Sequence, residues 1–270
     1  MSSFVAGGCS FTFGNELSDD FESRYPSKKT WAYGLYEQSQ LADNYVCCAR
    51  GGIGNQAIAR NVFETIHKSD DVKCVAVMWT FISRYDWAMP PHAVLEKNRW
   101  ASITPWETEE GDTEAESMLE TNAVQQQLHK QRQKNFTDAG VRPFANSLYK
   151  YAANDYHETY LSWKSITWLQ NILEKRKIPY FFTLSDNSVF YNNLEHKKDQ
   201  DNLMANLHSE LDLTKWYSFG ERMMGFNQWA LMEDYPRGTT HPLDEAHQDA
   251  VKLMLPEFER IIGGQNDQLD

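Results

Sequence analysis

The run VKCVAVMWTF at residues 72–81 constrains the fold of this chain more than any other segment. It is almost continuously apolar and rich in β-branched residues, as a strand buried on both faces must be. Strands of that kind lie in parallel sheets, which need a crossover helix between neighbours. The rest of the sequence supplies those partners. Phe4-Val5-Ala6 forms a short first strand, NYVCCA (44–49) a second and YFFTLS (180–185) a fourth. Between them, TWAYGLYEQSQLA (30–42) sets Trp31, Leu35 and Tyr36 on one helical face, with Thr30 as N-cap. QAIARNVFETIHK repeats the pattern with Ile58, Val62, Phe63 and Ile66, and residues 157–177 form a third amphipathic helix. A final helix is expected over 241–262, opening at Pro242 and interrupted at Pro256. Strand–helix alternation predicts an α/β fold, a central parallel sheet with helices on both faces.

Residues 88–156 break this rhythm. They are polar, acidic in ETEEGDTEAE and Gln-rich in VQQQLHKQRQK, and read as an insertion, helical around 114–135, that lies over one side of the sheet. A second irregular zone covers 186–240. No internal repeat or linker appears, so residues 1–270 read as one domain with excursions, 88–156 being a lid over it.

Bulk properties exclude several function classes. The 270 residues carry 38 acidic and 26 basic side chains, a formal net charge of −12, which disfavours binding a nucleic-acid backbone. HKQRQK (129–134) is the nearest candidate for a basic patch, and it reads as a solvated helix face. No apolar run is long enough for a membrane span, and no signal-peptide pattern opens the chain. The expected location is therefore the cytoplasm, or release without a signal peptide, with association to a virus particle as an alternative. Four cysteines, none in a C-x-x-C, read as buried free thiols suited to a reducing compartment. The eight histidines show no metal-ligand spacing, so no metal and no cofactor is expected.

In parallel sheets, functional groups gather where the strands end. Strand one ends in GGCSFTFG (7–14), which presents the hydroxyl of Ser10 on a glycine-rich turn. Strand two ends in Gly51-Gly52-Ile53-Gly54-Asn55; it lacks the glycine order and the lysine of a phosphate-binding loop. Strand three ends in Trp79-Thr80, followed by Ser83 and Arg84, and His241 stands in the loop before the last helix. A serine, a histidine base and amide donors are the parts that acyl transfer requires. Trp87, Trp100 and Trp106, aromatic residues in a polar insertion, are candidates for ligand contact.

These segments carry a resemblance. GGCSFTFG resembles block I of the SGNH/GDSL hydrolases, with Gly-Cys-Ser where Gly-Asp-Ser is usual. ARGGIGNQAIAR is similar to block II, VAVMWTFISRYDW takes the place of block III, and HPLDEAHQDA resembles the terminal block. The resemblance covers the first ninety and last thirty residues, and it implies a flavodoxin-like three-layer α/β/α sandwich. It further implies Ser10 as nucleophile, His241 as base, and an oxyanion hole made by Ser10 N–H, Gly54 N–H and an asparagine side chain. The implied activity is hydrolysis of small acyl or carbohydrate esters, acetyl esters above all, through an acyl-enzyme.

Two departures from the family stand out. Block III lacks its asparagine, leaving Asn55, Thr80 or Arg84 to supply the oxyanion or substrate contact. The terminal Asp-x-x-His is also absent at His241, since Gly238 stands three residues before it. The literal Asp-x-x-His is Asp244 to His247, but His247 falls inside the helix, where a structural role is expected. Either Asp234 or a backbone carbonyl is expected to orient His241. The departures leave open an alternative: a catalytically weak or inactive fold used for binding or assembly, on a virus particle or a cell surface.

Overall fold

The computed structural model describes residues 1–20, 23–90, 99–119, 122–191 and 202–266. Four strands form a parallel sheet in the order β2-β1-β3-β6: β1 (Ser3–Gly7), β2 (Asn44–Cys47), β3 (Val72–Trp79) and β6 (Tyr180–Leu184). Val5 of β1 lies opposite Val46 of β2 on one side and Val75 of β3 on the other. Val77 of β3 is paired in turn with Phe182 of β6. β1 and β6 are buried along their whole length, and β3 is buried from Cys74 onward, which accounts for their largely apolar sequences.

The helices that flank the sheet are α2 (Trp31–Ser39), after the single turn α1 (Ser10–Phe13), α3 (Asn55–Lys68), and further along α7 (Asp155–Lys175) and α11 (Asp244–Asn266). α2 packs on α11, and α3 on α7. Phe4 of β1 meets Tyr36 of α2 and Phe258 of α11, joining that helix layer to the sheet. Thr30 caps α2, as its sequence position suggests, by accepting the Tyr33 amide. The result is an α/β fold with helices flanking a central parallel sheet.

The last helix departs from expectation at both marked prolines. It starts at Asp244, so Pro242 stays in the preceding loop, where an isolated bridge joins it to Arg237. It also runs through Pro256 without a break. Proline costs the helix one hydrogen bond there, but Ala250, Val251, Met254, Phe258, Ile261 and Ile262 hold its inner face in the core.

Between β3 and α7 the chain forms an antiparallel hairpin, β4 (Tyr85–Ala88) with β5 (Trp100–Ile103). Three helices follow: α4 (Glu109–Met118), α5 (Ala123–Asp138) and α6 (Val141–Tyr151). Helix was expected here only around 114–135, and the hairpin was not anticipated. Tyr85, Ala101, Ile103, Ala139, Val141, Ala145 and Leu148 give this region a small core of its own. Beyond β6 come the short helices α8 (Ser188–Tyr191), α9 (Asn202–Ser209) and α10 (Phe226–Met232). Among the described residues no helix is long and apolar enough to cross a membrane, and His92 and His196 lie outside them.

Candidate active site

β1 delivers Ser10 through a turn that only glycine can make. Gly8 has φ +154°, and a Cβ on it would stand 2.1 Å from Thr12 Oγ1. Ser10 then opens α1, whose one turn ends at Gly14, and the Ser10 carbonyl accepts the amides of Gly14 and Asn15. The chain is thereby folded back beside its own serine. The next residue, Glu16, adopts a left-handed φ of 68°.

Glu16 is the centre of the arrangement. Its Oε1 accepts the Thr239 amide at 3.0 Å, and its Oε2 accepts the Thr240 and His241 amides, both at 2.9 Å. The same Oε2 lies 2.9 Å from His241 Nδ1. On the other side of the imidazole, His241 Nε2 stands 2.7 Å from Ser10 Oγ. A proton on Nδ1 directed at the carboxylate leaves Nε2 as an acceptor facing the hydroxyl, the tautomer a general base needs. The Phe11 ring packs edge-on against His241, 4.9 Å away, and Arg237 holds the Thr240 carbonyl at 2.9 Å. Burial alone would raise the Glu16 carboxyl. The His241 side chain and the Thr240 and His241 amides outweigh it and hold the pKa at about 2.

This carboxylate was missed in the sequence, where Asp234 or a backbone carbonyl was expected at Nδ1. Asp234 lies exposed beyond α10, and the Nδ1 position belongs to Glu16. No periodicity marks Glu16. The available signal was indirect: an acid one tight turn past Ser10, in a chain whose histidine lacks its expected partner. His247 has the structural role expected of it. It is buried, its Nδ1 accepts the Trp31 amide at 3.2 Å, and burial, followed by the nearby His241, lowers its pKa to about 3.

Two of the three side chains offered for the oxyanion or substrate contact face away from such a role. Asn55 is buried at the start of α3. Its Nδ2 donates to the Thr80 carbonyl at 2.9 Å and to Ser162 Oγ at 3.0 Å, and its Oδ1 accepts the Thr80 amide at 2.8 Å. With both hydrogens committed, Asn55 is a brace between α3 and the end of β3. Thr80 is fully buried and its hydroxyl donates to Cys9 Sγ at 3.2 Å. Arg84 is half-buried; its Nη1 lies 3.3 Å from both the Ile53 carbonyl and Thr80 Oγ1, and its guanidinium covers the Phe81 ring.

Ser10 and Gly54 stand at the first turns of α1 and α3, where amides lack intrahelical acceptors. Gly54 is sterically required, because a Cβ would lie 2.4 Å from the Arg84 carbonyl. The loop after β2 also passes close to the serine: a Cβ on Gly51 would be 4.0 Å from Ser10 Cβ. From the region 85–151, Arg132 of α5 reaches this loop. Its Nη1 lies 2.6 Å from where a Gly52 Cβ would be, and its Nε pairs with the buried Glu107 at 2.9 Å. Trp87 packs on Phe144, Trp100 lies under the Arg60 guanidinium, and Trp106 neighbours His129.

The four cysteines are free, and burial pushes Cys47 to about 11 and Cys48 to about 12. Among the described residues, no three His, Cys, Asp or Glu side chains are grouped to hold a metal ion.

No protein-family model matches the chain, and no curated protein matches it. Several solved structures resemble it at low identity. A carbohydrate acetylesterase family member from Sinorhizobium meliloti aligns with 97% of this chain and 100% of its own, at 11% identity and a TM-score of 0.45. A member of the lipolytic protein G-D-S-L family from Veillonella parvula covers 96% of this chain and 100% of its own, at 11% identity and a TM-score of 0.43. The psychrotrophic esterase EstA from Pseudoalteromonas sp. covers 98% of each chain, at 9% identity and a TM-score of 0.43.

Proposed function

We propose that this chain is an SGNH-type serine ester hydrolase with Ser10 as nucleophile, His241 as general base and Glu16 as the carboxylate that orients it. The observation that carries the reading is the continuous contact from Glu16 Oε2 through His241 to Ser10 Oγ, at 2.9 and 2.7 Å. Those are productive hydrogen-bond lengths for a nucleophile, a base and its orienting group.

In the proposed cycle, Ser10 Oγ attacks the ester carbonyl carbon while its proton passes to His241 Nε2. The developing imidazolium is stabilised by Glu16, whose low pKa keeps it ionised throughout. The Ser10 and Gly54 amides stabilise the oxyanion, helped by the N-terminal end of α3. His241 then returns the proton to the departing alcohol. Water, activated by the same imidazole, resolves the acyl-enzyme, and the reaction calls on no cofactor.

Acetyl esters of carbohydrates are the substrates we favour, in keeping with the family resemblance and the tryptophans at 87, 100 and 106. The region 88–156 would roof the site, and the approach of Arg132 to Gly52 supports that role. The alternative of an inactive binding module rested partly on a histidine without a carboxylate; Glu16 removes that ground. Ser10→Ala should abolish hydrolysis of p-nitrophenyl acetate and labelling by a fluorophosphonate. Unchanged turnover in that variant would reject the assignment.

A further inference from the structure

We propose that Arg84 is a positioning residue for the oxyanion hole, acting through the Ile53–Gly54 peptide. Its guanidinium sits on the carbonyl of that peptide and makes the N–H at the opposite edge a stronger donor. The inference rests on the esterase reading, because it gives Gly54 N–H an oxyanion to bind.

The geometry follows from one planar unit. Arg84 Nη1 is 3.3 Å from the Ile53 oxygen, and the described residues contain no cis peptide. In a trans peptide the C=O and N–H point in opposite directions. The cation therefore lies behind the Gly54 donor, away from the side on which a substrate oxygen would bind. A positive charge at the carbonyl draws electron density through the conjugated amide, and linked hydrogen-bonding groups polarise one another.

The guanidinium is fixed for this task. Thr80 Oγ1 accepts the same Nη1 at 3.3 Å, and the Phe81 ring lies 4.9 Å beneath. The Arg84 carbonyl fills the space where a Gly54 side chain would project. The segment carrying it is pinned as well, by Asn55 on both backbone groups of Thr80 and by Tyr149, whose hydroxyl donates to the Ser83 carbonyl at 2.6 Å.

Its charge also stands apart from its neighbours'. Arg60 faces Asp86 at 2.8 Å and Arg132 faces Glu107 at 2.9 Å. Among the described residues no carboxylate forms an ion pair with Arg84, whose Nη1 faces the Ile53 carbonyl and Thr80 Oγ1 instead. The Asn55 side-chain amide is committed to Thr80 and Ser162, and Arg84 compensates by strengthening a backbone donor.

The test compares wild type, Arg84→Met and Arg84→Lys for kcat and KM on p-nitrophenyl acetate, rate of fluorophosphonate labelling at Ser10, and Tm. Removing an oxyanion donor outright costs roughly 10²–10³ in kcat, so weakening one should cost about tenfold. Arg84→Met is expected to lose that factor in kcat and in labelling rate, with KM within about twofold and Tm unchanged, because the donor matters most as charge develops. Arg84→Lys, which keeps the charge, should recover most of the loss. Unchanged kcat in Arg84→Met overturns the proposal, as does a rise in KM alone, which would make Arg84 a substrate contact. A loss that tracks a fall in Tm and is not restored by lysine overturns it too. A wild-type protein inert to both reagents would reject the esterase reading itself, a result distinct from an active wild type with an equally active Arg84→Met.

Discussion

The loops after β1 and β3 leave the same end of the sheet and use their polar groups in opposite ways. After β1, Ser10 and Glu16 turn toward His241, more than two hundred residues away, and the three groups meet in a partly open corner. After β3, Thr80 is sealed in: its amide and carbonyl bond to Asn55, and its hydroxyl to Cys9. One loop brings a hydroxyl to an imidazole, and at Thr80 the other commits its hydrogen bonds to holding the frame. A strand end in a parallel sheet is a place where function can sit, but the hydrogen-bond partners decide which end holds it.

Substitution at Glu16 tests the first loop and carries the largest expected effect. Glu16→Gln removes the charge that stabilises an imidazolium and replaces one of the two acceptor oxygens by a donor. An NH2 must then face either the Thr239 amide or the position shared by the Thr240 amide, the His241 amide and His241 Nδ1. A comparable carboxylate-to-amide change in a well-studied serine protease costs about 10⁴ in kcat, so a loss of roughly 10²–10⁴ is expected here. Turnover of p-nitrophenyl acetate, with circular dichroism to check folding, measures it. Activity within about fivefold of wild type would reduce Glu16 to a clip for the 239–241 backbone.

The second loop should respond in stability. Asn55→Leu leaves the buried amide and carbonyl of Thr80 without partners, and one unsatisfied buried group costs about 1–3 kcal/mol. A loss of about 2–4 kcal/mol in urea unfolding is the expected result, with Ser10 still reactive toward a fluorophosphonate in the folded fraction. If Asn55→Leu instead removed reactivity at full stability, the division between the two loops would fail.

Acid sharpens the comparison further. The Glu16 carboxyl is held at about 2 in the folded protein, below its ordinary value of 4.5. A folded-state pKa below the unfolded one contributes stability that is fully present above about pH 4.5 and is lost as pH falls toward 2. Wild type should therefore lose stability across that window, and Glu16→Gln should show a shallower decline. Parallel acid titrations of the two proteins, followed by tryptophan fluorescence, would decide the matter. Identical curves would mean that Glu16 is not the group responsible.

The sheet was legible in the sequence because burial on both faces leaves a composition: β1, β3 and β6 each read as largely apolar runs. Ser10 and His241 were legible because glycine and proline mark the turns that carry them. Glu16 was not, since its role depends on a single left-handed turn and on a loop from the far end of the chain. Asn55 misled for a related reason. Its position beside Gly54 suits an oxyanion donor, yet its side chain folds back to Thr80, a choice that only the tertiary packing makes. The β4–β5 hairpin was hidden because Trp87 and Trp100 face outward and break the apolar alternation expected of a strand.

The smallest expected effect concerns the surface clasp beside the candidate site. Lys29 Nζ lies 2.7 Å from Asp244 Oδ2, while Asp244 also accepts the Ser18 amide at 3.0 Å and the Ser18 hydroxyl at 2.6 Å. This clasp joins the chain just past Glu16 to the first residue of α11, three positions after His241. Lys29 is exposed and the pair is open to screening, so the lysine adds little to what the Ser18 contacts already fix. Lys29→Ala should shift Tm by no more than about 2 °C and leave kcat unchanged, at both low and high salt. A tenfold fall in kcat in this variant would show that alignment of His241 depends on surface charge, and the buried contacts of Glu16 would then no longer account for it.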